Sequence, residues 1–248
     1  MTAIDLGSRH LHATTGDGVL RVVLDRPDRR NACTVEMYHG IKKAAVVAER
    51  DPEIDVLVLT GSGDTFCVGG EMGGKHEGGQ PLDRETDGLD LTPFVQLERC
   101  PKIVLTAING MCQGGGLVMT IMSDVSVVSD RAKFRVPELL RGVADCYLGA
   151  RLAPRVGVAR AKYLLFTAQY FSAEEALAMG LVSRVVPHAE LLPEARRLAA
   201  RIAAHPGLTL RLTKRLLREG QQLGLDSLLD LSAAAQAIAH KTAEHRER

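Results

Sequence analysis

The sequence contains no tryptophan and only 4% aromatic residues, so it offers little surface for stacking nucleic-acid bases. Nor does one sign of charge dominate. With 31 Lys and Arg against 30 Asp and Glu the formal net charge is +1, which gives nucleic acid or an anionic membrane nothing to attract. The five cysteines (Cys33, Cys67, Cys100, Cys112 and Cys146) are odd in number, widely spaced and free of any C-x-x-C pair. That excludes a disulfide frame or a zinc centre as the organising device and favours a reducing compartment, by default the cytosol. No apolar run approaches the roughly 18 residues of a membrane span, and residues 1–11 do not join a basic start to an apolar run, so neither a span nor an export signal is expected. What remains is ordinary: 46% hydrophobic and 25% charged residues over 248 positions exclude a disordered or fibrous chain. The length suits one large domain, or one domain with an appendage.

Periodicity supplies the elements. Residues 10–25 read as a β-hairpin around Gly16-Asp17-Gly18, ended by Pro27. Residues 34–50 place Val35, Tyr38, Ile41, Ala45 and Val46 at helical spacing, and Asp51-Pro52 stops the helix. Residues 54–60 form a nearly continuous apolar run of the kind that marks a buried parallel strand. Residues 61–91, with glycine pairs at 69–70, 73–74 and 78–79 and many charges, predict a long, irregular, partly mobile loop that serves a site. Next come a strand over 103–108, a glycine-rich turn over 109–116, a buried helix over 117–122, and strands over 125–128 and 132–136. Ser172 and Glu175 make a capping box for a short helix closed by Gly180, followed by a strand over 181–186 and Pro187. Residues 191–204, 208–219 and 225–241 carry helical periodicity. The expected organisation is a β/α core over residues 1–187 and a helical region over 188–248, without internal repeats.

Three constellations can carry chemistry. Gly114-Gly115-Gly116 opens a predicted helix, where unpaired N–H groups and the positive dipole end can hold a developing negative charge, although the same triplet also suits a tight turn or close helix packing. Phe66-Cys67-Val68-Gly69-Gly70-Glu71 follows a buried strand and brings a second glycine pair to the carboxyl end of a sheet, where α/β folds place ligands. Two such loops can together supply the paired backbone donors of an oxyanion hole. Pro137-Glu138 follows the strand over 132–136, so a carboxylate fixed at a strand end could act as general acid and base; alone, it also reads as a solvated surface glutamate.

Other patterns do not complete themselves. Residues 69–75 fit GxxxxGK, but His76 stands where a phosphate loop needs Ser or Thr. Gly61-Ser62-Gly63 lacks the third glycine of a dinucleotide fingerprint, no GxSxG elbow exists, and the eight histidines form no HExxH or paired ligands. Cys67 and Cys112 lie in the two glycine loops, where buried packing is the simpler account and reactivity the other.

Taken in order, these segments resemble the crotonase (enoyl-CoA hydratase/isomerase) superfamily. The resemblance is carried by Leu24-Asp25-Arg26-Pro27 with Asn31-Ala32, by residues 56–61, 66–71 and 107–116, by Pro137-Glu138, and by the AxxxGLV pattern over 176–182. It implies an α/β spiral of ββα units with a C-terminal helical region, assembly as a homotrimer or hexamer, and an acyl-CoA thioester as substrate. CoA enters as part of that substrate, and no separate cofactor or metal is implied. It also implies oxyanion-hole N–H groups at Gly70 and Gly115. The loop from Asp28 through Arg29 and Arg30 to Asn31 and the backbone of Val68 to Gly70 would flank the CoA, with Gly114 also against the substrate.

The departures from the family bear on the reaction. Family hydratases carry a first catalytic glutamate three residues after the middle glycine, and here that position is Val118. Glu138 matches the second glutamate, and a lone carboxylate there is similar to the family's enoyl-CoA isomerases. Asp145 lies where some members place a working aspartate; it would serve equally as the cap of a helix running toward Arg155. The expected activity is therefore isomerisation or hydration of an enoyl-CoA, with Glu138 as proton shuttle. The alternatives are decarboxylation of a branched acyl thioester, action on a carrier-protein thioester, and a silent acyl-CoA-binding scaffold. An RNA-binding role gains nothing from the near-zero charge.

Overall fold

The computed structural model describes residues 1–71, 77 and 91–241. The glycine pairs at 73–74 and 78–79, Lys75, His76 and most of the long loop expected over 61–91 lie outside the described residues. In chain order come β1 (Thr2–Ile4), β2 (Leu11–Gly16), β3 (Val19–Leu24), α1 (Val35–Arg50), β4 (Val56–Gly61), β5 (Thr65–Cys67), α2 (Phe94–Arg99), β6 (Ile103–Ile108), β7 (Met111–Gln113) and α3 (Gly115–Met122). They are followed by β8 (Val125–Ser129), β9 (Lys133–Arg135), α4 (Leu148–Val156), α5 (Val158–Thr167), β10 (Phe171–Ser172), α6 (Ala173–Ala178), β11 (Arg184–Val186), α7 (Leu191–Ala203), α8 (Gly207–Gly220) and α9 (Leu225–Ala239).

Two sheets result. The larger has seven strands in the order β1-β2-β3-β4-β6-β8-β11, antiparallel through the hairpin and parallel from β3 onward. The smaller, β10-β9-β7-β5, is parallel between β5, β7 and β9. Alternation along β4 explains its continuous apolar run: Leu57 and Leu59 face the main core with α1 and α3, while Val56 and Val58 face a second cluster containing Leu191, Ala195 and Ala199 of α7. The strand is buried on both faces, so neither face can be polar.

Helix α1 begins where the sequence places it, because the Thr34 side chain accepts from the Met37 N–H at 3.1 Å. Its buried face carries Met37, Tyr38, Ile41, Ala44, Ala45 and Ala48. The capping box is also present, with Ser172 and Glu175 satisfying each other's backbone N–H groups at the start of α6.

Some expectations need correction. The segment over 61–91 is not irregular throughout, since it contains β5, and the turn over 109–116 contains β7. Each strand has three residues, too few for an alternating pattern to register, and each exists because its partner in the small sheet supplies the hydrogen bonds. The strand expected over 181–186 begins only at Arg184. Three-residue β1, six-residue α2 and the largely exposed α5 were not expected at all, because none carries a long apolar stripe. No helix among the described residues is long and apolar enough to cross a membrane.

All five cysteines are free and all but Cys146 are buried. Burial pushes the Cys112 thiol up, which favours packing over reactivity in the second glycine loop.

The C-terminal helices are tied to the sheet by a buried polar cluster. Lys214 of α8 donates to the Lys102 carbonyl at 2.9 Å and to Asp124 Oδ2 at 2.6 Å, and the same carboxylate oxygen accepts from the Val104 N–H at 2.7 Å. Lys102 Nζ in turn donates to the Asp51 carbonyl at 3.2 Å and to the Ile54 carbonyl. Removing one member of a buried pair costs more than the pair contributes, because the other charge stays behind. Lys214→Met should therefore lower stability by about 3 kcal/mol in denaturant unfolding; an unchanged midpoint would show that the cluster is solvated.

Candidate active site

The two glycine loops meet where the small sheet ends. Beyond β5 the chain reverses through Gly69, whose φ of +98° favours glycine, and forms an isolated parallel bridge between Cys33 and Gly70. The Cys33 N–H donates to the Gly69 carbonyl at 2.8 Å and the Glu71 N–H to the Cys33 carbonyl at 2.9 Å, so the bridge consumes the groups on either side of the Gly70 N–H. Beyond β7, Gly114 (φ +53°, ψ −126°) precedes α3, and the Gly115 N–H is the first in that helix. Neither the Gly70 N–H nor the Gly115 N–H donates to an acceptor among the described residues. A Cβ at Gly69 would stand 3.0 Å from the Gly115 nitrogen, so the loops touch backbone to backbone. Unpaired N–H groups at a helix start can hold a developing negative charge.

Glu138 reaches this point from the 3₁₀ turn Glu138–Arg141 beyond β9. A Cβ at Gly114 would stand 2.8 Å from Glu138 Oε1, and Oε2 is buried without a hydrogen-bond partner among the described residues. Burial, reinforced by the negative charge of Asp145, pushes the Glu138 carboxyl up to about 7. Such a group exchanges its proton readily at neutral pH. Asp145 lies close enough to act on Glu138 by its charge, and its Oδ1 accepts from the Tyr147 and Leu148 N–H groups at 2.8 and 2.7 Å at the start of α4. Burial raises the Asp145 carboxyl, and those two donors pull it down.

Of the positions read from the sequence, Val68, Gly69, Gly70, Gly114, Gly115 and Glu138 come together, with the Val68 carbonyl oxygen 3.6 Å from a Cβ built at Gly114. Asp28, Arg29 and Arg30 are exposed on the loop after β3, and Asp28 pairs with Arg29 at 3.9 Å. Val118 is buried in α3, one turn into the helix that Gly115 opens. A separate cavity of about 570 Å³, lined by residues that include Arg21, His188 and Arg196, contains none of these positions. Among the described residues no cluster of His, Cys, Asp and Glu could hold a metal.

Sequence reasoning marked Arg26 and Asn31 only as carriers of the resemblance, and placed Asn31 with the CoA-flanking loop. The structure instead buries Asn31 as a support and gives Arg26 the same task. Arg26 donates to both Glu71 oxygens at 3.1 and 3.2 Å and to the Ala32 carbonyl at 3.1 Å, fixing the residue after Gly70. Fully buried Asn31 accepts from the Arg26 N–H at 2.8 Å and donates to the Ser62 and Thr65 carbonyls at 3.0 and 2.6 Å. Asn109 donates to the Gly63 and Thr65 carbonyls at 2.7 and 3.1 Å. Tyr38, Phe94 and Tyr147 form two edge-on ring contacts beside the glycines, with centroids 5.8 and 4.9 Å apart. A buried asparagine next to the Arg-Pro pair was the one readable sign of such a support; the aromatic wall depends on side chains 56 and 53 positions apart.

The raised Glu138 pKa has a stability consequence. The carboxyl keeps its proton in the folded state to about pH 7, against an ordinary 4.5. The stability linked to that proton is fully present below pH 4.5 and is lost as pH rises through 7. Glu138→Gln, which cannot ionise, should melt above the parent protein at pH 8, with the gap closing toward pH 4.5; a pH-independent gap in calorimetry would contradict the assignment.

Comparisons with known proteins show what the chain and its fold are similar to. The family model described as Enoyl-CoA hydratase/isomerase matches residues 14–248. The chain is 34% identical over 226 residues to a crotonyl-CoA hydratase of Syntrophomonas wolfei, covering 90% of this chain and 87% of that protein. It is 32% identical over 238 residues to a 1,2-epoxyphenylacetyl-CoA isomerase of Escherichia coli, covering 93% and 90%. Among solved structures, a putative enoyl-CoA hydratase from Thermobifida fusca in complex with CoA superposes with a TM-score of 0.84 at 29% identity, over 93% of this chain and 92% of that one.

Proposed function

Because the chain belongs to the enoyl-CoA hydratase/isomerase family, we propose that it moves a double bond along the acyl chain of an enoyl-CoA, with Glu138 carrying the proton. One observation carries this choice over hydration: among the described residues, Glu138 is the carboxylate that lies against the paired glycines with a buried oxygen lacking a hydrogen-bond partner. Val118 occupies the helix position at which family hydratases hold a second, and Asp145 is engaged in capping α4.

The geometry supports a proton shuttle of the following kind. The Glu138 carboxylate removes a proton from the carbon between the thioester carbonyl and a 3,4-double bond. The electron pair left behind delocalises onto the thioester oxygen, where the Gly70 and Gly115 N–H groups stabilise the dienolate. A single oxyanion donor is typically worth about 3 to 4 kcal/mol in the transition state. Protonated Glu138 then returns its proton two carbons further on, which yields the conjugated 2-enoyl thioester and regenerates the carboxylate. No water is consumed. A carboxyl titrating at about 7 suits both halves of the cycle, since neither form is strongly favoured at neutral pH.

The exposure of Arg29 and Arg30 supports a role for the loop from Asp28 in flanking CoA, the two guanidinium groups suiting its phosphates, and the position of Val68 to Gly70 supports contact with its thiol end. Exposed Phe166, Leu225, Leu229 and Ile238 support assembly as a homotrimer or hexamer, which would cover them. The balanced charge and unpaired cysteines support a cytosolic location.

The reading is tested by incubating a short trans-2-enoyl-CoA with the protein in heavy water and weighing the recovered thioester. Deuterium entering the acyl chain without gain of water is the expected result, and Glu138→Gln should slow that exchange by about a hundredfold to ten-thousandfold. Gain of a whole water would instead make the protein a hydratase. No change would turn attention to loss of carbon dioxide from β-carboxylated thioesters, and after that to a binding protein without turnover.

A further inference from the structure

We propose that the Tyr38 hydroxyl is a third hydrogen-bond donor to the thioester oxygen, alongside the Gly70 and Gly115 N–H groups. The inference rests on the acyl-thioester reading above and adds a side chain to it. It starts from space. A Cβ at Gly70 would stand 3.2 Å from the Tyr38 hydroxyl oxygen, and a Cβ at Gly115 would stand 2.6 Å from it. The hydroxyl therefore lies against both glycines and fills the volume that side chains at 70 and 115 would need. Among the described residues its oxygen is the nearest atom to a Cβ built at either glycine.

The ring is held so that the hydroxyl has little freedom. Tyr38 lies on the buried face of α1, one turn after the Thr34 cap, and its backbone N–H donates to the Thr34 carbonyl at 3.1 Å. Phe94 packs edge-on against it at 77° and is itself packed edge-on by Tyr147, whose hydroxyl meets Thr92 Oγ1 at 3.2 Å. Phe94 also lies against Gly115, with its ring tip 3.3 Å from a Cβ built there. The Tyr38 ring is buried, and its hydroxyl makes no hydrogen bond among the described residues, yet the hydroxyl oxygen is not sealed from solvent. A hydroxyl that is open at this point and uses no protein acceptor is free to donate to an oxygen that arrives with the substrate. Burial and the neighbouring Cys33, Cys67 and Glu138 oppose its ionisation, so it remains a donor wherever Glu138 works.

A third donor increases the charge the hole can hold, which favours reactions whose intermediate is a full enolate. The test uses a dimethylaminocinnamoyl thioester of CoA, a chromophore whose absorption moves to the red as hydrogen bonds polarise its carbonyl. The parent protein should bind it with a red shift. Tyr38→Phe keeps the ring contact with Phe94 and should bind with a similar dissociation constant and a clearly smaller shift. With an active enoyl-CoA, the same variant should lose about tenfold to a hundredfold in kcat at nearly unchanged KM. Equal red shifts in the two proteins would overturn the proposal and leave Tyr38 a packing residue. A variant that loses affinity and shift together would overturn it in the same way. Binding by the parent without any red shift would remove the acyl-thioester reading itself.

Discussion

Two backbone N–H groups can be left without acceptors inside a fold only if the chain on either side of them is held by something else. Around Gly70 that support is dense. The bridge to Cys33 fixes the flanking peptide groups, the Arg26 fork fixes Glu71, and Asn31 and Asn109 both donate to the Thr65 carbonyl at the start of β5. Around Gly115 the support is the start of α3, because the helix pairs its later donors and leaves its first one free. The glycines allow the loops to close on each other, and the polar side chains behind them keep them there.

Placing a carboxylate over that pair sets the rest of the chemistry. Glu138 would be an ordinary surface acid on a 3₁₀ turn if Gly114 carried a side chain, since a Cβ there would contest the space of Oε1. Brought in against glycine, it loses solvent and gains a negative neighbour in Asp145, and both effects favour its protonated form. The folded state thereby carries a group that would be more stable left uncharged, a cost tolerated where function needs a proton to move. Val118, one turn into α3, is buried and apolar.

Much of this was legible in the sequence, for reasons that differ by element. Strand β4 and helix α1 announce themselves because long buried elements impose their period on the residues. Gly114 to Gly116 and Gly69-Gly70 announce themselves because only glycine tolerates the backbone angles and the close approach. Strands β5 and β7 do not, because three residues paired to distant partners leave no local pattern. Glu138 and Asp145 show how far type and position reach: both are acids near strand or helix ends, and only the coordinates separate an unpartnered carboxyl oxygen from one that caps a helix. Tyr38 stood among the apolar residues of α1, and nothing in its spacing distinguishes a hydroxyl aimed at two glycines from one at the edge of the core.

The central claim is that one carboxyl, Glu138, is held between its two protonation states at neutral pH beside a pair of free N–H groups. Difference infrared titration of the parent protein against Glu138→Gln reads that group directly, through the carbonyl stretch of its protonated form. The account predicts that this band disappears over a transition centred near pH 7. Its disappearance near the ordinary carboxylate value of 4.5 would contradict the account, because a carboxylate already ionised in the resting site would not be the desolvated proton carrier described above.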